Sequence, residues 1–313
     1  MSPVLCLTLN PSVDLFTHTP RVVPTDKLRC GPPQRGPGGG GLNVARVLQR
    51  LGLPVRAVFP AGGPAGRWLV DHLAGTGIQP ACVPIAGETR ENFTVMAQDS
   101  GEEYRFVLPG PTLSDAELQA CLAAATDALP AGGWVIASGS LPPGAPSDTY
   151  ARLASLARDR GARLVLDTAG TPLAQALATG VAIVKPNRRE LSELLGEPLD
   201  TEQRCLDAAR RLVDNGQADT VALSMGADGA MLVTSTGAWV APALPITVAS
   251  SVGAGDSFTA GLVAGLAQGL APEAAFAQAV AAGSAALLRP GTGLALAADI
   301  ALLEPQVQAR RLA

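Results

Sequence analysis

Asp256 stands directly behind Gly253-Ala254-Gly255, and an apolar helical pattern runs on from it to Leu266. Small residues at such a point let consecutive backbone N–H groups converge at a helix N-terminus, where the dipole also favours negative charge. That nest suits the charge on a phosphoryl group in transfer, and an acid in the same turn can take the proton of an attacking hydroxyl. The same residues also fit a helix that Asp256 merely caps, with no chemistry at all. A second segment, Pro37-Gly38-Gly39-Gly40-Gly41-Leu42-Asn43, puts four glycines ahead of another helical pattern. Backbone without Cβ atoms lets a ligand approach closely, and Asn43 can both donate to and accept from sugar hydroxyls. A loose loop before a helix start is the alternative.

Lys185-Pro186-Asn187-Arg188-Arg189-Glu190 follows an apolar run. Asn187 and Glu190 are three apart, so they share a helix face and can hold water around Mg²⁺; a helix cap with its paired glutamate has the same spacing. Ser224-Met225-Gly226-Ala227-Asp228-Gly229 suits either a flat ring laid on backbone or a plain hairpin turn. Lys27, Arg29, Arg90 and Arg105 fall in or beside two irregular segments; the arginine fork matches phosphate oxygens, while solvated strand residues are the default for any one cation.

Two nucleotide signatures are missing. There is no Gly-x-x-x-x-Gly-Lys-Ser/Thr, and no Gly-x-Gly-x-x-Gly after the first strand with an acid about twenty residues on. His18 and His72 have no metal-site spacing.

These groups need a scaffold, and the apolar pattern supplies one. Val4 to Leu9, Val55 to Phe59, Trp134 to Ala137, Leu164 to Leu166, Ile183 to Val184 and Val221 to Leu223 read as short buried strands. Between them Leu42 to Leu51, Gly66 to Leu73, Asp148 to Asp159, Arg189 to Leu195 and Glu202 to Asp214 read as helices. That alternation predicts an α/β chain with a mostly parallel sheet covered on both faces. Two stretches break the rhythm. Asp14 to Gln34 is polar and extended, and Glu88 to Leu108 alternates in period two around a turn at Asp99-Ser100-Gly101, the mark of an inserted β-hairpin. Its apolar face needs cover, as a lid over a site or a clasp on a second subunit.

The 313 residues are 47% hydrophobic, enough for one large core, and a net charge of −4 disfavours nucleic acid or an anionic membrane as the main partner. Five scattered cysteines form no Cys-x-x-Cys pair, which fits a reducing cytoplasm. The start of the chain reads as a first strand, not a signal peptide, and no segment reads as a membrane span.

In this order the four motifs resemble the phosphofructokinase B family of the ribokinase-like fold, from about Leu7 to Gly293. Thr8 to Asp14, Lys27 to Cys30, Pro60 to Gly63, Tyr104 to Val107 and Ser138 to Gly144 look like its hexose-phosphate branch, closest to the minor bacterial 6-phosphofructokinases. Relatives acting on fructose 1-phosphate or tagatose 6-phosphate, the alternative substrates, usually carry a lysine within the glycine run, which is all glycine here. The resemblance implies a ribokinase-like three-layer sandwich with a small inserted β lid (about 14–35 and 88–108), in a single domain over 1–313. It implies ATP-dependent phosphorylation of fructose 6-phosphate, with Asp256 as base on the C1 hydroxyl and Gly253, Ala254 and Gly255 as anion hole. Asp14, Gly38, Gly39 and Asn43 would hold sugar hydroxyls. Lys27, Arg29, Arg90, Arg105, Ser138 and Ser140 would meet the sugar phosphate or ATP phosphates. Lys185, Asn187 and Glu190 would organise ATP phosphates and Mg²⁺, with Glu190 acting through water. Ser224, Gly226, Gly229, Gly283 and Ser284 would line the nucleotide pocket. Many relatives carry Asp-Thr before the Gly-Ala-Gly-Asp motif, where this chain has Ser250-Ser251. Potassium is implied on carbonyls of Ser250, Val252, Ala286, Arg289, Gly291 and Gly293, with one less negative charge nearby, and a homodimer through the lid is implied as well. A non-catalytic sugar-phosphate sensor is the rival outside enzymes; it would need neither Asp256 nor the glycine nest.

Overall fold

Alternate residues of each short apolar strand pack into two separate cores, because successive side chains of a strand point to opposite faces. Val4 and Cys6 belong to one core and Leu5 and Leu7 to the other; Val165 is likewise divided from Leu164 and Leu166. A computed structural model describes residues 3–129 and 131–312. The chain runs β1 (Val4–Leu7), β2 (Ser12–Thr19), β3 (Gln34–Gly38), α1 (Gly40–Arg50), β4 (Val55–Ala61), α2 (Gly63–Ala74), β5 (Gln79–Pro84), β6 (Arg90–Ala97), β7 (Glu103–Phe106) and α3 (Asp115–Ala128). It continues with β8 (Trp134–Ser138), α4 (Thr149–Asp159), β9 (Arg163–Asp167), α5 (Gly170–Thr179), β10 (Val181–Val184), α6 (Arg188–Leu195), α7 (Glu202–Asp214) and β11 (Ala218–Ser224). Then come β12 (Ala230–Thr234), β13 (Gly237–Ala241), α8 (Ala254–Ala267), α9 (Pro272–Leu287), α10 (Ala297–Leu303) and β14 (Arg310–Leu312).

The large sheet has the order β14-β13-β12-β11-β10-β9-β8-β1-β4-β5. Strands from β11 to β5 are parallel, and β12, β13 and β14 add antiparallel at one edge. Helices α1, α2, α8, α9 and α10 cover one face, and α3, α4, α5, α6 and α7 the other. This is the three-layer ribokinase-like architecture. Among the described residues no helix is long and apolar enough to cross a membrane.

The small sheet has the order β3-β2-β6-β7. The hairpin β6–β7 is antiparallel, but β6 joins β2 in parallel, with Ser12 opposite Arg90 and Asp14 opposite Asn92. The hairpin is the one expected, and its parallel pairing with β2 has a topological cause: β2 leaves the carboxyl end of β1 and β6 that of β5, so both run the same way. The polar stretch from Asp14 also starts as a true strand, and only 20–33 is a loop between strands. Ser12, Asp14, Arg90 and Asn92 line a cleft against the large sheet. Phe93 and Phe106, paired across the hairpin, are 40% and 53% exposed on the other side.

Candidate active site

Ser138 ends β8, Asp167 ends β9 and Lys185 follows β10, so three polar side chains meet at the carboxyl ends of adjacent parallel strands. The chain builds outward from β1 through β4 and β5, then restarts on the other side at β8. A crevice opens at such a reversal in open α/β sheets. Here it is a cleft of about 590 Å³, roofed by the small sheet and bordered by the first turns of α1 and α8.

Lys185 is buried, and its Nζ lies 3.2 Å from Asp167 Oδ1. Burial opposes its charge, yet Asp167 and Asp256 outweigh that and hold its pKa above the ordinary lysine value. Ser138 Oγ donates to the other Asp167 oxygen at 3.4 Å.

Asp256 sits in the first turn of α8. Gly253 is the cap residue, in the left-handed region at φ 74°, and no side chain caps the helix. The carboxylate is therefore not spent on capping. It takes a hydrogen bond from Asn43 Nδ2 at 2.9 Å instead. Burial is the largest influence on it and the Asp167 charge the next; Asn43 and Lys185 pull the other way, and the pKa ends at about 6. Across the cleft, Asp14 Oδ1 accepts from Ser12 Oγ at 2.7 Å and from Asn92 Nδ2 at 2.9 Å.

The glycine run has a steric reason. A Cβ on Gly38 would occupy the space of the Asp14 carboxyl group, and one on Gly40 would run into Ser138 Oγ and lie 3.1 Å from Asp256 Oδ1. Gly39 holds φ 103° beside Thr8. Gly40→Ala gains up to about 1 kcal/mol in helix propensity, while overpacking costs about 1–3 kcal/mol. The expected result is a net loss of stability and about a tenfold drop in turnover, because Asp256 must shift. Adding Ser138→Ala should recover most of the stability in chemical denaturation.

Of the residues singled out from sequence, Asp14, Gly39, Asn43, Arg90, Arg105, Ser138, Ser140, Glu190, Val252, Gly253 and Asp256 line the cleft. Gly38 lies against Asp14, a Cβ on Gly255 would come within 3.3 Å of Lys185 Nζ, and Ala254 opens α8. Asn43 faces Asp256 and Arg46, so it serves the carboxylate directly. Arg90 donates from Nη1 to Leu108 O and from Nη2 to Asn10 O, both at 2.9 Å, which ties the root of the small sheet to the loop after β1.

Other residues singled out from sequence lie outside the lining of this cleft. Lys27 and Arg29 are exposed in the 20–33 loop and do not line the cleft; Thr17 and Thr19 hydroxyls, bonded to Gly31 O and Arg29 O, hold that loop along β2. Asn187 is a helix cap: Oδ1 accepts from Glu190 N, and Glu190 Oε2 accepts from Asn187 N, each at 2.9 Å. Glu190 does reach the cleft, with only one oxygen committed in this way. Ser224, Gly226 and Gly229 form the β11–β12 hairpin, where a Cβ on Gly229 would strike Ala241 O. Gly283 lets α9 pack on the start of α8, and Ser284 is buried beside it; neither lines the cleft.

The segments around Ser250 and Ala286 do meet, as Ala249 N donates to Leu287 O at 2.7 Å. Within them Val252 N donates to Ser250 Oγ at 3.2 Å, and Ala286 O accepts from Arg289 N at 3.0 Å. Gly291 packs on Phe16 of the small sheet, Gly293 packs on Arg289, and the Arg289 side chain pairs with Asp299.

Sequence reading missed Asp167, Ser12 and Asn92 as cleft residues, and Arg46 behind Asn43. One signal was present: an acid at the carboxyl end of an apolar strand is where α/β sheets place ligand contacts.

The model of the pfkB family carbohydrate kinases matches residues 7–299, and the chain belongs to this family. It is 43% identical over 289 residues to the ATP-dependent 6-phosphofructokinase isozyme 2 of Mycobacterium tuberculosis, covering 92% of this chain and 85% of that protein. It is 34% identical over 282 residues to the 1-phosphofructokinase of Bacillus subtilis, covering 90% and 91%. Crystal structures of Escherichia coli phosphofructokinase-2 with fructose-6-phosphate and with potassium each give a TM-score of 0.93, at 38% and 39% identity, over 98% of this chain and 99% of that one.

Proposed function

We propose that this chain transfers the γ-phosphoryl group of ATP to the C1 hydroxyl of fructose 6-phosphate, giving fructose 1,6-bisphosphate and ADP. One observation carries the reading. A carboxylate with pKa about 6 opens on a cleft beside a helix N-terminus, opposite a sheet that presents Asp14, Asn92 and Arg105. The relatives named for this activity support it.

Asp14 and Asn92 orient the sugar hydroxyls, and Arg105 at the rim meets the 6-phosphate. Arg90 holds the lid root, so the small sheet closes over the sugar and keeps water from the phosphoryl group. Asp256 takes the C1 proton as the sugar oxygen attacks phosphorus in line. The first-turn N–H groups of Gly253, Ala254 and Gly255 have no helical partner and stabilise the charge on the equatorial oxygens. Buried Lys185 adds positive charge beneath them.

An Mg²⁺ carried by the nucleotide would keep several waters, and the second Glu190 oxygen could hold one of them. Bound there, Mg²⁺ would neutralise phosphate charge. Potassium would sit on carbonyls of the paired 249–252 and 286–293 segments. The exposed Phe93, Phe106, Val107 and Leu108 fit a homodimer through the small sheet, and the five free cysteines fit the cytoplasm.

ADP release across a panel of fructose 6-phosphate, fructose 1-phosphate and tagatose 6-phosphate tests the substrate. Fructose 6-phosphate should give the highest kcat/KM; a preference for fructose 1-phosphate would favour the activity of the Bacillus relative. Arg105→Ala should raise KM for fructose 6-phosphate by about 10–100-fold, the worth of one charged hydrogen bond, and KM for ATP by under about threefold. The pH profile follows from Asp256. A protonated carboxyl cannot take the C1 proton, so kcat/KM should fall on the acid side with a midpoint near 6.

A further inference from the structure

Asn43 meets Asp256 with an amide whose orientation must be set by something, because either end of an amide can face a carboxylate sterically. Its Oδ1 accepts from Arg46 Nη1 at 3.3 Å, one turn further along α1, while its Nδ2 donates to Asp256 Oδ2 at 2.9 Å. A flipped amide would set oxygen against carboxylate and N–H against guanidinium, losing both bonds and gaining two repulsions. The same Nη1 also donates to Pro37 O at 3.1 Å, next to Gly38 and hence to the backbone that faces Asp14. Arg46 is partly buried, with its own pKa held down to about 10 by burial and by Arg50, and held up by Asp14 and Asp256. A buried arginine without a carboxylate partner has to be supported by such acceptors.

The geometry points to Arg46 as a positioning residue for the phosphoryl-transfer base: it locks the Asn43 amide, and through that amide it fixes the rotamer and ionisation of Asp256. The inference rests on Asp256 being the base. The charged groups facing Asp256 are Asp167 from β9, Lys185 after β10, Asp14 from β2 and, on α1, Arg46 itself, whose charge Asp256 favours. Among the described residues, Asn43 is that helix's hydrogen-bonding contact with the carboxylate, and its bond lowers the Asp256 pKa.

The test is a double-mutant cycle read on the acid limb of kcat/KM. Arg46→Met should move the limb upward by about one pH unit, lower kcat at pH 7 by about tenfold and leave KM for ATP within about twofold. Asn43→Ala should move the limb in the same direction, and the double variant no further than Asn43→Ala alone, since coupled residues do not add. An unmoved limb in Arg46→Met, or displacements that add, would overturn the relay. Arg46→Gln carries the same expectation and keeps a polar tip in the pocket if Arg46→Met does not accumulate as folded protein. An Asn43→Ala limb that stays put would overturn the relay from its other end. A failure of the underlying reading looks different: the unmodified enzyme would show no limb near 6, or Asp256→Asn would keep its turnover.

Discussion

Asp256→Asn should lower kcat by about 10²–10⁴-fold, the usual worth of a general base, with binding of sugar phosphate and ATP nearly unchanged. The same variant should be more stable at neutral pH. The folded pKa of Asp256 is raised from 3.8 to about 6, so the folded state holds this proton more tightly than the unfolded chain does. Stability from that source is complete below 3.8 and is lost as pH rises through 6. At pH 7 the ionised carboxylate therefore works against the fold by up to about 3 kcal/mol, since each pH unit between the folded and unfolded values is worth about 1.36 kcal/mol. Asparagine removes the charge and can still accept from Asn43. Urea unfolding at pH 7 should show a gain of about 1–3 kcal/mol, and the gain should fade towards pH 4. Near-normal turnover would refute the base, and equal stability at both pH values would refute the physical account of its pKa.

Lys185→Met should cost stability and activity together. The methionine stem fills the space, but Asp167 is left mostly buried beside Ser138 without its ammonium partner. Breaking a buried pair from one side costs about 3–5 kcal/mol. Asp256 loses the same positive charge while Asp167 still repels it, so its pKa must climb beyond 6 and the acid limb of kcat/KM must move to higher pH. At pH 7 turnover should fall by more than about 100-fold, from the protonated base and the lost cation beneath the phosphates together. Adding Asp167→Asn removes both the orphaned charge and the leading repulsion on Asp256. The double variant should therefore recover at least about 2 kcal/mol in urea unfolding, and its acid limb should return towards 6. A single variant within about 1 kcal/mol of the parent would mean that the Lys185–Asp167 pair does not carry this stability.

Much of the layer structure was legible. Val4–Leu7, Trp134–Ser138 and Arg163–Asp167 are short, apolar and bounded by polar or glycine residues, and they formed parallel strands as the pattern implies. Helices α3, α5 and α9 were not read out, for a physical reason. They are rich in alanine, whose small apolar side chain gives little contrast between a buried and an exposed face, and α9 is buried around most of its girth. The partner of β2 was not legible either. A strand of alternating polarity pairs equally well in either direction, and the choice fell to where β1 and β5 end.

The contrast within the site is sharper. A helix start behind small residues with an acid in its first turn is a local arrangement, and residues 253–256 alone determined it. So did the strand rhythm, since period two and its turn signals need no distant partner. The tertiary structure decided what that acid would do. Asn43 and Asp256 are 213 positions apart, Lys185 and Asp167 sit on different strands, and Arg46 looks like one more solvated helix residue until α1 is laid against α8. Lys27 and Arg29 stand out in sequence only by their type, and it is the hydroxyls of β2 that set where their loop lies. Charge, burial and hydrogen bonding act over a few ångströms of space and not along the chain. Spacing can therefore propose a carboxylate, and only the packed fold sets its pKa and its neighbours.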